Sequence, residues 1–198
     1  MNTVPALSRY HIYALVGLAF SVWALVMLAT GRTVGWAELK PFSIVVSVVA
    51  GGVAVFDRWL WKIPCLYPWF VKTPDISGTW RVTLVSEWVD PDTEEKHGPI
   101  SCFMTVRQTY SRLSMRLMTA ESSSWLIAHG FVYSDDGVIH VTGVYQNEPQ
   151  IALRGTRSEI HYGALRLEVK GTPPAVLDGN YWTDRNSRGS MKLTDRRK

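Results

Sequence analysis

The residues able to do chemistry are few and dispersed in this sequence of 198 residues. The five histidines, His11, His97, His129, His140 and His161, share no metal-ligand spacing. His129 and His140 fall on neighbouring predicted strands, where a structural or surface role is the simpler reading. Cys65 and Cys102 lie in different halves of the chain with no CxxC motif, and read as small buried hydrophobes of a chain folded in a reducing cytoplasm. Acidic residues gather in loops, Asp90 to Glu95 and Asp135–Asp136, where solvated turns are the ordinary outcome. No phosphate-binding glycine loop, GxSxG elbow or HExxH helix occurs. These residues do not describe an enzyme, and nothing among them calls for a cofactor or metal.

Binding is better supplied. The stretch from Gln108 to Ser124 (QTYSRLSMRLMTAESSS) places hydroxyls, an amide, Arg112 and Arg116 close together. Tyr145–Gln146–Asn147 and Asn180–Tyr181–Trp182–Thr183–Asp184–Arg185 add aromatic faces, amides and a guanidinium. Aromatic rings stack on bases, guanidinium groups pair with phosphate oxygens, and small polar side chains read base edges. Tyr and Thr are also good strand formers, so composition alone does not separate a ligand site from strand packing.

The elements that would position these residues are short runs bounded by turn signals, the rhythm of an antiparallel all-β domain. Strands are expected at Gly78–Trp88, Ile100–Tyr110, Leu113–Thr119, Trp125–Tyr133, Val138–Tyr145, Tyr162–Val169, Gly179–Arg185 and Ser190–Thr194. Asp135–Asp136–Gly137 and Arg185–Gly189 suit hairpin turns, and Ile151–Arg154 suggests one more strand inside a polar loop. Eight such strands can close into a small up-and-down, lipocalin-like barrel, which removes exposed edges; a two-sheet sandwich is the alternative. Period two puts Trp80, Val82, Leu84 and Ser86 on one face of the first strand, and Tyr181, Thr183 and Arg185 on one face of the seventh. A lone Trp after Gly-Thr on a first strand, with an Arg on a late one, is how lipocalin-like barrels close their bottom. Arg185 could therefore cover Trp80 instead of meeting a ligand.

Ahead of this domain, Ile12 to Thr30 is an uncharged apolar run of about nineteen residues, roughly 29 Å as a helix. A second run, Phe42 to Phe56, becomes long enough to cross a bilayer if its helix continues through Trp59, Leu60 and Trp61, with Asp57 and Arg58 among the headgroups. Pro41 suits the first turn of that helix. Trp59, Trp61, Tyr67 and Trp69 form an aromatic belt with Lys62 and Lys72. Residues 1–72 thus read as a transmembrane α-hairpin with its linker, and residues 73–198 as the β-domain. Arg9, Arg58, Lys62 and Lys72 against Arg32 and Lys40 favour cytoplasmic termini. Ser43, Ser47 and Gly51, with Gly17 and Ser21, offer small-residue faces for packing within the hairpin or between protomers. No acid or base inside either run could relay protons.

The formal charge of +4 comes from the membrane flanks, since residues 1–72 hold six Lys/Arg against two acids while the remainder balances. That argues against DNA or RNA as a partner. The β-domain favours Arg over Lys, eleven to four, and Arg is the better residue for phosphate.

The segments QTYSRLSMRLMTAESSSW, VYQNEP, HYGALRLEV and LDGNYWTDRNSRGSMKL together resemble a known family. It is the two-transmembrane, β-barrel effector of bacterial antiphage systems that signal with cyclic oligonucleotides (CBASS). The resemblance covers essentially the whole chain. It implies that the barrel binds a cyclic dinucleotide, that binding drives homo-oligomerisation of the membrane segments, and that the lipid bilayer is disrupted and the infected cell dies. It implies site residues Arg116, Ser122, Ser124, Tyr145, Asn147, Tyr181, Thr183 and Arg185: the arginines for phosphate, the tyrosines for stacking, the others for base or sugar edges. Two other readings compete: a membrane-tethered lipocalin-like binder of an apolar ligand, and a scaffold with a filled barrel.

Overall fold

The computed structural model describes residues 2–3, 9–29, 31, 36–89, 94, 96, 98–155 and 158–198. Arg32 and most of the acidic stretch 90–97 lie outside the described residues, as do the side chains of Arg9, Tyr10, Trp36, Lys40 and Ser43. The chain forms two compact units, one of residues 5–71 with 109–111, the other of residues 1–4, 72–108 and 112–198.

The first unit holds helices α1 (Arg9–Ala29) and α2 (Trp36–Arg58), of 21 and 23 residues. Among the described residues no helix is long and apolar enough to cross a membrane. α2 starts well before Phe42, so Pro41 lies beyond its first turn, not in it as the sequence suggests. The helix also stops at Arg58; Leu60–Lys62 and Pro64–Leu66 are separate 3-10 turns, the second opened by a proline that has no N–H to continue a helix. Among the described residues, a Cβ at Gly17 or Gly51 would meet nothing within 4 Å. Asp57 is engaged beyond a headgroup role: its carboxylate accepts from the Ser111 amide at 2.8 Å and from Thr109 Oγ1 at 3.3 Å. Phe56 and buried Trp61 contact the Tyr110 ring at centroid distances of 5.2 and 6.2 Å. Cys65 is exposed here, against the sequence expectation, because it sits in a turn with no strand or helix face to bury it.

The second unit is a closed antiparallel barrel of β2 (Gly78–Ser86), β3 (Ile100–Gln108), β4 (Leu113–Met118), β5 (Ser122–Tyr133), β6 (Ile139–Pro149), β7 (His161–Lys170), β8 (Val176–Thr183) and β9 (Arg188–Arg197). Each strand pairs with the next, and β9 pairs with β2, which closes the ring and rules out the two-sheet sandwich. A short strand at the N-terminus, β1 (Asn2–Thr3), pairs with the end of β5. Alternation sets the faces: Trp80, Val82 and Leu84 are buried while Arg81, Thr83 and Val85 face out. Several ends differ from expectation. β5 begins at Ser122, β6 continues to Pro149, β8 ends before Arg185, and Ile151–Leu153 is a 3-10 turn instead of a strand. Pro149 lacks a ladder donor, so β6 stops there and the chain turns away.

The interior divides along the barrel axis. At the end where β2 starts, Trp80 is fully buried and donates its indole N–H to the Ile76 carbonyl at 2.9 Å. The guanidinium over its ring, at 5.5 Å, belongs to Arg196 and not to Arg185. Arg196 also donates to the Ser77 carbonyl at 2.7 Å and pairs with Asp75 at 3.2 Å. Arg185 could not reach Trp80, because the β2–β9 register (Ser86 opposite Gly189, Thr79 opposite Arg197) puts the β8–β9 turn at the far end. Buried Gln108 completes the closed end by accepting from the Ile76 amide and donating to the Pro74 carbonyl.

Candidate ligand-binding cavity

Away from Trp80 the barrel is not filled. A cavity of about 630 Å³ opens there, within the ~300–1,000 Å³ typical of small-molecule sites. Its floor is apolar, with Leu84, Met104, Met115, Leu165 and Met191. Polar side chains occupy the rim. Seven of the eight residues singled out from the sequence line it: Ser122, Ser124, Tyr145, Asn147, Tyr181, Thr183 and Arg185. Arg116 does not. On β4, Leu113 and Met115 are buried and Arg116 alternates to the exposed face, where its Nε donates to Ser123 Oγ at 3.0 Å.

The room in this half has a local cause. Tyr145 on β6 stands directly opposite Gly163 on β7, and Tyr181 on β8 opposite Gly189 on β9. A Cβ on Gly163 would run into the Tyr145 ring and come within 2.6 Å of the Trp182 carbonyl; one on Gly189 would come within 2.8 Å of the Tyr181 ring and would strike the Val85 carbonyl. Each tyrosine therefore leans onto a bare stretch of neighbouring strand. Burial, then the neighbouring Tyr181 and Asp184, push the Tyr145 hydroxyl well above the usual phenol range, so it stays protonated and able to donate.

Much of the rim is internally hydrogen-bonded. Ser124 Oγ donates to Asn147 Oδ1 at 2.7 Å between two buried side chains, which fixes the amide. Thr119 and Ser122 bond each other at 3.1 Å, and Thr183 bonds Ser187 at 2.7 Å. Arg185 Nη1 donates to Ser158 Oγ at 3.0 Å, leaving the remaining guanidinium donors at the mouth. Among the described residues, the arrangement presents an apolar floor, two aromatic side walls and one permanent cation, Arg185, at the entrance.

The family model described as "Cap15, cyclic dinucleotide receptor domain" matches residues 71–195, well over half of the chain. The chain belongs to the Cap15 family. The match covers seven barrel strands whole, β9 up to Asp195, and the cavity within them. Among solved structures, a redesigned beta barrel is similar, with 13% sequence identity, a TM-score of 0.26, and coverage of 61% of this chain and 91% of that one. No curated protein matches the chain.

The cavity also holds residues that the sequence does not single out: Trp88, Glu121, Trp125, Ser158, His161 and Ser187. Two of these had a signal. Trp125 follows Ser124 where β5 was already expected, and Ser187 sits in the expected β8–β9 turn. Ser158 belongs to a loop whose course no period-two pattern defines, and His161 opens β7 one residue ahead of the expected strand start. Among the described residues, no group of three or more His, Cys, Asp or Glu is placed to hold a metal ion.

Proposed function

We propose that this chain is a membrane-anchored effector of antiphage signalling whose barrel cavity takes up a cyclic dinucleotide. The observation that carries the reading is the coincidence of two facts: the match to a cyclic dinucleotide receptor domain, and an open, amphipathic cavity inside that domain. A cyclic dinucleotide presents two flat bases and a ring with two phosphates. The cavity answers with the Tyr145 and Tyr181 rings, the fixed Asn147 amide and Arg185. The membrane anchor is supported by the uncharged run Ile12 to Thr30 and the aromatic, basic flank from Trp59 to Lys72.

In this reading the ligand favours an assembled state of the chain, since equal affinity for free and assembled forms would shift nothing. Assembly of the helices then disrupts the inner membrane and kills the infected cell. The test uses the full chain in detergent micelles and in lipid vesicles. Calorimetry against cyclic dinucleotides should show binding that Tyr145→Leu weakens, and dye-loaded vesicles carrying the protein should leak only when that ligand is added. Binding of fatty acids with no response to any cyclic dinucleotide would replace this reading with an apolar-ligand carrier, to which the Leu and Met floor is suited.

A further inference from the structure

The charges in the cavity do not match the ligand proposed above, and the mismatch points to an unassigned residue. Among the described lining residues, only Arg185, Glu121 and His161 can carry charge near neutral pH, and Arg185 and Glu121 offset one another. A ligand with two phosphates brings two negative charges into this partly enclosed space, where screening by water is reduced. His161 is the one lining group among the three that can gain a positive charge to meet them.

The geometry prepares it to do so. His161 opens β7 at the rim, and its Nδ1 lies 3.0 Å from the Glu159 carbonyl oxygen. A carbonyl only accepts, so Nδ1 carries the hydrogen and Nε2 is left with a lone pair. Asn147 stands opposite His161 on β6. On the other side, the Tyr162 and Asp184 backbones continue the β7–β8 pairing by one step, with the Asp184 amide donating to the Tyr162 carbonyl at 3.0 Å, so Arg185 follows beside His161. Among the described residues, the charged groups on the elements next to it are Arg185 and Asp184 from the β8–β9 turn, Glu121 from the β4–β5 turn, Glu148 on β6, and Arg154 and Glu159 from the loop before β7. Asp184 receives the Tyr162 amide and Glu148 is paired with Arg154, so neither carboxylate is committed to the imidazole.

We propose that His161 is a ligand-binding residue of the cavity and takes up one proton from solvent when a phosphate of the ligand binds. Arg185 is then the permanent cation at the mouth and His161 the one that forms on demand. The inference rests on the cyclic dinucleotide reading of the same cavity. Histidine side chains ordinarily change charge between pH 5 and 8. The bound ligand favours the imidazolium, so affinity is highest below that interval and falls as pH rises through it, by up to about tenfold per pH unit for a single proton.

The experiment is calorimetry of the full chain in micelles with cyclic di-AMP, cyclic di-GMP and cyclic di-UMP from pH 5.5 to 8.5, in buffer pairs of different ionisation enthalpy. The expected result is an affinity at pH 8 at least about tenfold weaker than at pH 5.5, with a binding enthalpy that changes with the buffer's ionisation enthalpy by a slope between zero and one proton taken up. His161→Gln, which can still donate to the Glu159 carbonyl, should bind with one weak affinity at every pH, and His161→Lys with one strong affinity. Wild-type binding that is flat in pH, or a slope that survives His161→Gln, overturns the inference and leaves the cyclic dinucleotide reading standing. Folded wild-type protein that binds none of the three at any pH overturns both.

Discussion

Replacing Arg196 by methionine tests whether the closed end of the barrel is independent of its open end. Methionine keeps an unbranched stem against Trp80 and removes only the guanidinium. Three interactions go with it. The bond to the Ser77 carbonyl, at 2.7 Å and with a charged donor, contributes about 1.5–3 kcal/mol. The face-on contact with Trp80 contributes about 0.5–2 kcal/mol. The pairing with Asp75 adds little to the net, because Asp75 retains Lys198 at 3.5 Å and both Ser77 donors. Terms this close are not additive, so the expected loss is about 2–4 kcal/mol. For a domain of this size that lowers the unfolding midpoint by about 10 °C, at roughly 3–5 °C per kcal/mol. None of these residues lines the cavity, so cyclic dinucleotide affinity measured well below the midpoint should stay within about twofold of wild type. Circular dichroism melts and calorimetry on the same preparation give both numbers. A midpoint within about 2 °C of wild type refutes the energetic argument, and a large affinity loss in a folded protein refutes the separation of the two ends.

The other expectations concern the cavity and the surface. Tyr145→Leu should weaken cyclic dinucleotide binding about 5- to 150-fold, the worth of one stacked base, while Tyr145→Phe keeps most of it; calorimetry distinguishes the two. Arg116→Ala should leave affinity unchanged and stability within about 0.5 kcal/mol, because the side chain lies on the outer face of β4; a lost affinity would put the ligand outside the barrel. Maleimide should label Cys65 in the folded protein and spare Cys102, which is buried and whose thiol desolvation pushes up to about 11. Because a raised thiol pKa means less thiolate at any given pH, moving from pH 7 to 9 should leave Cys102 unlabelled by mass spectrometry until the chain is unfolded.

Strand alternation was readable where apolar and polar residues take turns, and it placed the inward faces of β2 and β8 correctly. The same alternation in Leu113–Ser114–Met115–Arg116 turns Arg116 outward, away from the seven other expected site residues. The start of β5 was hidden because Ser122–Ser123–Ser124 carries no strand propensity; pairing with β6 orders it. Which arginine covers Trp80 is not legible in the sequence, since Arg185 and Arg196 both lie near the ends of late strands and only the β2–β9 register decides. The apolar Ile151–Leu153 mimics a strand, but Pro149 ends the ladder before it. His161 was invisible as a site residue because what aims it is the Glu159 carbonyl, a backbone group that no residue-type pattern encodes.

The two glycines beneath the tyrosines have a consequence for how such a receptor could change its ligand. At Gly163 and Gly189 an added methyl would press on a neighbouring strand's carbonyl as well as on a ring, so the sites that make space are also the sites where the strands crowd together. Volume and curvature share one origin on that wall. Resizing the pocket there by a single substitution would also unbend the barrel. The opposite wall carries no such double duty: Leu84, Met104, Met115 and Leu117 project from β2, β3 and β4 as ordinary side chains. Relatives that accept larger or smaller bases should therefore differ from this chain on that wall, and keep the glycines.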